Sequence, residues 1–350
     1  MARPRTDRAR AGDPTAPGRG RVLVCYLLPL PVFLLALCVG AYRLAPAAIL
    51  DAILQRLMGR TIFGPAVEPG AMTVLLDVRL PRVLLSLLVG ASLSASGAAF
   101  QSVMRNPLVE PYTLGVSSGA ALGAALSMAF SLLPLQLSAF LFASASILAC
   151  YLIAGQRGSA PILSLILAGI IVSAVCTAAL SAVQLVVDPL KLQGLVFWTM
   201  GGFYTTTWEK LLSALPLLLV GLAAVYLLRW RMNILSLGDG EARMLGADPR
   251  LLRGAVLLSA TLLASASVSV SGILSLVGLM IPHICRMLFG ADHRRLIPLS
   301  MSLGAAYLTA VDTLARTLFT FEIPVGIFTT FLGAPFFVVL LRKARSIGWN

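Results

Sequence analysis

Runs of about twenty apolar residues, long enough to cross the roughly 30 Å of a bilayer's hydrocarbon core as helices, recur along this 350-residue chain. No other feature constrains the fold as much. In hydrocarbon every backbone N–H and C=O needs a partner within the chain, and a helix is the simplest solution. A transmembrane barrel would show alternating segments of about ten residues, whereas these runs are continuously apolar. The expected fold class is all-α, a polytopic membrane bundle. Composition agrees: 58% of residues are apolar and 12% charged, against about 25% charged in an average soluble domain.

The pattern predicts about ten transmembrane helices, over residues 22–42, 80–104, 113–131, 135–154, 161–187, 211–228, 251–271, 273–289, 296–318 and 324–341. Only Ser271-Gly272 separates the seventh from the eighth. Between Asp188 and Trp208 the stretch from Gly194 to Gly202 reads as a short helix outside the bundle. Residues 1–21, rich in Arg, Pro and Gly, read as a disordered basic tail. Residues 22–342 read as one transmembrane domain and 343–350 as a second tail. Gly115, Gly119 and Gly123 recur every four residues, a spacing that lets helix backbones approach closely in lipid.

Ten spans place both termini on one side. With that side cytoplasmic, it holds 19 of the 27 lysines and arginines. The other side holds Arg43, Arg56, Arg60, Arg79, Arg82, Lys191, Lys210 and Arg316, as the positive-inside rule requires. The net charge of +13 is thereby explained by topology, and no nucleic-acid partner is expected. Cys25, Cys38, Cys150, Cys176 and Cys285 all lie in or beside apolar runs with no Cys-x-x-Cys pair, so no disulfide framework or zinc site is indicated.

One segment breaks the pattern. Arg229, Arg231, Asp239, Glu241, Arg243, Asp248, Arg250 and Arg253 form a mixed-charge island between two apolar runs, on the cytoplasmic side. A positive-inside bias needs no acids, so this island reads as a docking surface for another protein. The chain carries no P-loop: none of its three lysines, Lys191, Lys210 and Lys343, precedes Ser or Thr. It holds no catalytic triad and is not expected to be an enzyme. Asp292, His293 and Cys285 come nearest to a metal set, but a solvated loop is the expected reading, with no metal and no cofactor. Most acids lie near segment ends. Asp312 lies inside a span, with Arg316 one helical turn on, and the two are expected to pair. Energy then enters through a partner chain; the alternative is an ion-coupled secondary transporter using Asp312.

The motifs point further. Arg79-Leu80-Pro81-Arg82, Gly90 to Gly97, Gln101, and Asn106-Pro107-Leu108-Val109-Glu110-Pro111 resemble the FecCD permease family. So do Gly272 to Arg286, Gly290 to Arg294, Asp312 to Arg316, Glu322 to Gly326 and Leu332 to Phe336. These are the membrane subunits of ATP-binding-cassette importers for ferric siderophores, heme and cobalamin. The resemblance implies a bacterial or archaeal inner-membrane homodimer with its pathway between subunits. It also implies a dimer of separate ATPase subunits and a periplasmic or lipid-anchored substrate-binding protein. Leu237, Gly238, Asp239, Glu241, Arg243, Leu245 and Gly246, within 237–249, resemble the loop that couples to the ATPase. Arg79, Arg82 and Arg316 correspond to arginines that receive acidic residues of the binding protein. Asn106, Pro107 and Leu108 correspond to part of a cytoplasmic gate, with the Gly155–Pro161 turn nearby. A ferric siderophore is the first-choice cargo, with heme or cobalamin next.

Overall fold

The computed structural model describes residues 19–40, 45–59, 64, 68–155 and 162–346. Most of the N-terminal tail, residues 156–161 of the turn near the expected gate, and the last four residues of the C-terminal tail lie outside the described residues. Among the described residues every regular element is helical.

The first expected span carries one irregular turn. Helix α1 (Arg19–Leu27) passes through Leu28, still in helical conformation, into α2 (Pro29–Cys38), the two together forming one span over Gly20–Cys38; Pro29 and Pro31 lack the N–H groups that would complete the ladder there. Arg19 to Arg21, read as tail, already belong to α1. Residues 43–78, read as a loop, contain α3 (Pro46–Met58) and α4 (Pro69–Thr73). From α4 the chain passes through a π-helical turn, Val74–Arg79, into α5 (Leu80–Met104), so the second span begins eleven residues early as one continuous helix from Pro69 to Met104. Within the turn the Leu80 N–H reaches the Leu75 carbonyl, five residues back. Pro81 explains this widening: its ring crowds the carbonyl four residues before it and offers no N–H.

A short 3-10 turn at Pro111–Leu114 leads into α6 (Val116–Phe130), followed by α7 (Leu135–Ala154) and α8 (Ile162–Val186). Helix α9 (Pro189–Met200) is the short helix expected after Asp188, whose carboxylate accepts from Leu190 N and caps it. The long α10 (Trp208–Leu237), the six-residue α11 (Asp239–Met244) and α12 (Pro249–Ser271) carry the charged island. A linker at 272–276 separates α12 from α13 (Val277–Phe289), so that weakly marked boundary is real. Helix α14 (His293–Ala315) and α15 (Val325–Ser346) complete the chain; α15 runs past Arg342, where the tail was expected to begin.

Six of the helices are long and apolar enough to cross a membrane, and α6, α13 and most of α15 are shorter apolar ones. Helix α5 is the axis of the bundle. It is buried on almost every face, packing against α10, α12, α13 and α14. Small residues set these distances: a methyl on Gly97 would land on the Gly278 carbonyl of α13. Likewise Gly123 of α6 lies against α7, where Ser138 Oγ donates to its carbonyl at 2.7 Å. The outside is the reverse of a soluble surface. Leu163, Leu167, Ile170 and Val175 of α8 are each more than half exposed, an apolar face suited to lipid or to another membrane helix.

Candidate functional site

Two polar clusters lie at opposite ends of α5. From Arg82 to Arg105 that helix covers 23 steps, or about 35 Å at 1.5 Å each.

At the first end, the Arg82 guanidinium is held by two acids. Its Nε and Nη2 donate to the Asp312 carboxylate at 2.9–3.1 Å, and its Nη1 donates to Glu322 at 3.0 and 3.1 Å. Asp312 is fully buried, whereas the Glu322 side chain is half exposed. The expected pairing of Asp312 with Arg316 is therefore corrected. The guanidinium of α5 crosses to Asp312, because α5 and α14 pack face to face along this level, as Ser86 and Thr309 at 2.9 Å also show. Arg316 turns instead to the Ala36 carbonyl, and Arg79 Nη1 donates to the Leu37 carbonyl at 2.8 Å. Both arginines thus sit on the last-turn carbonyls of α2, where the helix dipole is negative. Arg79 and Arg82 are buried, at 4% and 8% exposure. Their side chains point into the fold rather than outward as rim charges.

The other end is built by three breaks in the chain. Gly238, with φ +134°, ends α10, and Gly246, with φ +75°, ends α11; both conformations favour glycine. After α11 the Gly246 and Ala247 N–H groups return to the Arg243 and Ala242 carbonyls, a Schellman closure. Asp248 then caps α12 by accepting from Arg250 N at 2.8 Å. The expected coupling loop is thus a short helix flanked by two glycines. Glu241, Arg243, Met244 and Leu245 are exposed on it, Met244 at 88%, with the Glu241 carboxylate lying back over Gly238. Asp239 does not: one of its oxygens accepts from Arg105 at 2.8 Å and also from Arg253. Slight burial alone would raise the Asp239 pKa, but Arg253 and Arg105 outweigh it and hold the carboxyl below its ordinary 3.8. The pairing is complete above that value and lost only as pH falls through the lower folded one.

Arg105 is the residue that sequence reasoning missed; it counted only as one more cytoplasmic charge. It follows α5 in a left-handed conformation, φ +48°, uncommon for a side chain of its size. Its Nε donates to the Leu235 carbonyl of α10 at 2.9 Å while Nη2 reaches Asp239. Next to it the Asn106 side chain accepts from Leu108 N at 2.9 Å, an Asx turn that reverses the chain. Asn106, Pro107 and Leu108 therefore follow directly on the residue whose side chain reaches α11. Nothing in the sequence spacing reports that proximity. Asp292, His293 and Cys285 do not converge. Asp292 caps α14 and His293 bonds Asn233, while Cys285 is buried within α13. Among the described residues no three metal-ligating side chains come together.

A bundle with a lipid-like exterior, a buried axial helix and an exposed charged helix at one end defines a multi-pass membrane protein. The FecCD transport family matches residues 27–343, and the chain belongs to that family. It is accordingly a transport subunit of an ATP-binding-cassette importer and not an enzyme, ATP hydrolysis residing in a separate subunit. It is 41% identical to a probable iron chelatin transport system permease protein of Helicobacter pylori, over 78% of this chain and 84% of that protein. It is 39% identical to the molybdate import system permease protein MolB of Haemophilus influenzae, over 81% and 85% respectively. Among solved structures it resembles a metal-chelate type ABC transporter in an inward-facing conformation. There the TM-score is 0.80 at 37% identity, over 93% of this chain and 99% of the other.

Proposed function

We propose that this chain is the inner-membrane permease through which an iron chelate, a ferric siderophore first and heme or cobalamin next, enters the cytoplasm. Two copies enclose the pathway, an ATPase dimer docks on residues 237–249, and a binding protein delivers cargo at the end marked by Arg79, Arg82 and Arg316. Both termini and the α11 end then face the cytoplasm, with about ten spans between the two faces.

The observation that carries this reading is α11, which presents Glu241, Arg243, Met244 and Leu245 outward on a short helix held at the end of the bundle. An apolar pair preceded by opposite charges suits a protein partner, since charge sets register and the apolar residues supply burial. Cargo class is supported by a groove of about 820 Å³ between α9, the 272–276 linker and α15. Thr199, Ser275 and Thr330 contribute its hydroxyls, while Ile273, Phe331 and Val338 make it apolar, with no lysine or arginine in the lining. Such walls suit an organic chelate better than a bare oxyanion such as molybdate, which calls for cationic or convergent N–H donors. The exposed α15 side of the groove is where the second copy closes it. An ion-coupled carrier using Asp312 is not favoured, because both Asp312 oxygens are engaged by Arg82.

Reconstitution in proteoliposomes with the ATPase and binding protein encoded beside it tests the proposal. The expected result is ATP-dependent uptake of a ferric siderophore, with hemin, cyanocobalamin and molybdate as competitors. Uptake of molybdate alone overturns the cargo assignment, and uptake without ATP overturns the importer mechanism. Glu241→Lys is expected to weaken ATPase co-purification about tenfold, the value of one charge-assisted contact, while binding-protein association is unchanged. Equal loss of both partners would place Glu241 in the fold instead of the docking surface.

A further inference from the structure

Helix α11 has a mechanical weakness in its own sequence. The glycines that bound it, Gly238 and Gly246, both take positive φ values, and a methyl group on Gly246 would meet nothing within 4 Å. Residues 239–245, between two such pivots, can tilt as a unit. A push delivered to α11 by a partner would then be absorbed at the pivots and go no further. Three side chains remove that freedom. Asp239, the first residue of α11, is gripped by Arg105 from the end of α5 and by Arg253 from the first turns of α12. Arg105 also holds the Leu235 carbonyl in the last turns of α10. One guanidinium therefore spans α5, α10 and α11, and its own backbone leads directly into the Asn106-Pro107 turn.

We propose that the Arg105–Asp239–Arg253 latch is the transmission contact that turns displacement of α11 into movement of α5 and of the Asn106–Leu108 turn. This rests on the reading of α11 as the ATPase-docking helix. Arg105 and Asp239 are positioning residues: their side chains, 37% and 44% exposed, are turned onto one another at the end of the bundle, and the exposed Glu241 and Arg243 are left for the partner. Arg105 suits the task because its planar fork makes two directed bonds at once, to a carbonyl and to a carboxylate, which a lysine ammonium does not reproduce. The left-handed backbone at Arg105 fits the same account, since that conformation aims the side chain along the bundle end while the chain reverses.

The test is a double-mutant cycle in the reconstituted importer with Arg105→Gln, Asp239→Asn and the pair. It reads cargo transported per ATP hydrolysed alongside ATPase co-purification and the thermal midpoint of the complex. Each single variant is expected to lower transport per ATP about tenfold, the worth of one charge-assisted hydrogen bond, with ATPase still bound. The double variant should lose less than the product of the two single losses, because the Arg105–Asp239 contact they share is already gone in each. Arg105→Lys, which keeps the charge and folds under the same demands, should recover only part of the ratio. Wild-type transport per ATP in both single variants, or losses that multiply in the double, overturns the latch. So does loss of bound ATPase from both single variants, which would make these residues part of the docking surface. If instead the unmodified complex shows no ATP-dependent uptake, the functional reading beneath the latch is what fails.

Discussion

Arg82→Met is expected to destabilise the protein by about 3–5 kcal/mol, because it leaves a fully buried carboxylate without its counter-charge. Thermal unfolding in detergent, with intrinsic tryptophan fluorescence as the probe, reads the effect. Two companion variants give the expectation its shape. Arg82→Met combined with Asp312→Leu should recover most of the loss, since removing both charges removes the desolvation problem along with the attraction. Glu322→Gln alone should cost under about 1 kcal/mol, as expected for an ion pair whose acid is half in water. If Arg82→Met melted with the unmodified protein, the cluster would contribute nothing to the fold. The same geometry warns against using Arg82→Glu to test binding-protein docking. Three acids would then crowd one buried site, and lost docking would report lost structure.

The second large effect belongs to Gly97. A methyl group there meets the Gly278 backbone carbonyl directly, and no side-chain rotation relieves a contact with backbone. Gly97→Ala is expected to cost about 1–3 kcal/mol through the forced separation of α5 from α13, and Gly97→Val more. Gly194→Ala is the control: it lies in α9 with nothing within 4 Å of the added methyl, so it should be neutral or gain up to about 1 kcal/mol from helix propensity. Equal behaviour of the two alanine variants in the same melting assay would refute the close-packing account.

Much of the bundle was legible because lipid imposes a simple rule. The run at 135–154 coincides with α7, and the segments that became α8 and α12 are displaced by one or two residues at most. Errors arise where proline or polar residues act through geometry that hydropathy does not register. Pro29 loosens one turn of the first span, Pro81 sits well inside a helix that began at Pro69, and α3 is too short and mixed to resemble a span. The charged island was visible as composition, and its exposed members were identified from the family pattern. Its internal wiring was not, because Arg105 and Asp239 lie 134 residues apart and no periodicity links them. Asp312 shows the same limit. The neighbour one turn away suggested a pairing along the helix, whereas the guanidinium that reached it came from a helix 230 residues distant.

The π-helical turn before α5 has a consequence for how relatives of this chain are compared. A turn closed by a bond to the fifth residue back contains one residue more than an α-helix needs, so residues 74–79 can lose a position while the helix stays unbroken. Such a turn winds its extra residue into nearly the rotation that an α-helix makes with one residue fewer. The deletion would therefore leave α4 on nearly its present bearing, with α5 and both of its polar ends in register. A one-position gap at this point of an alignment thus leaves the helix faces on its two sides comparable position by position.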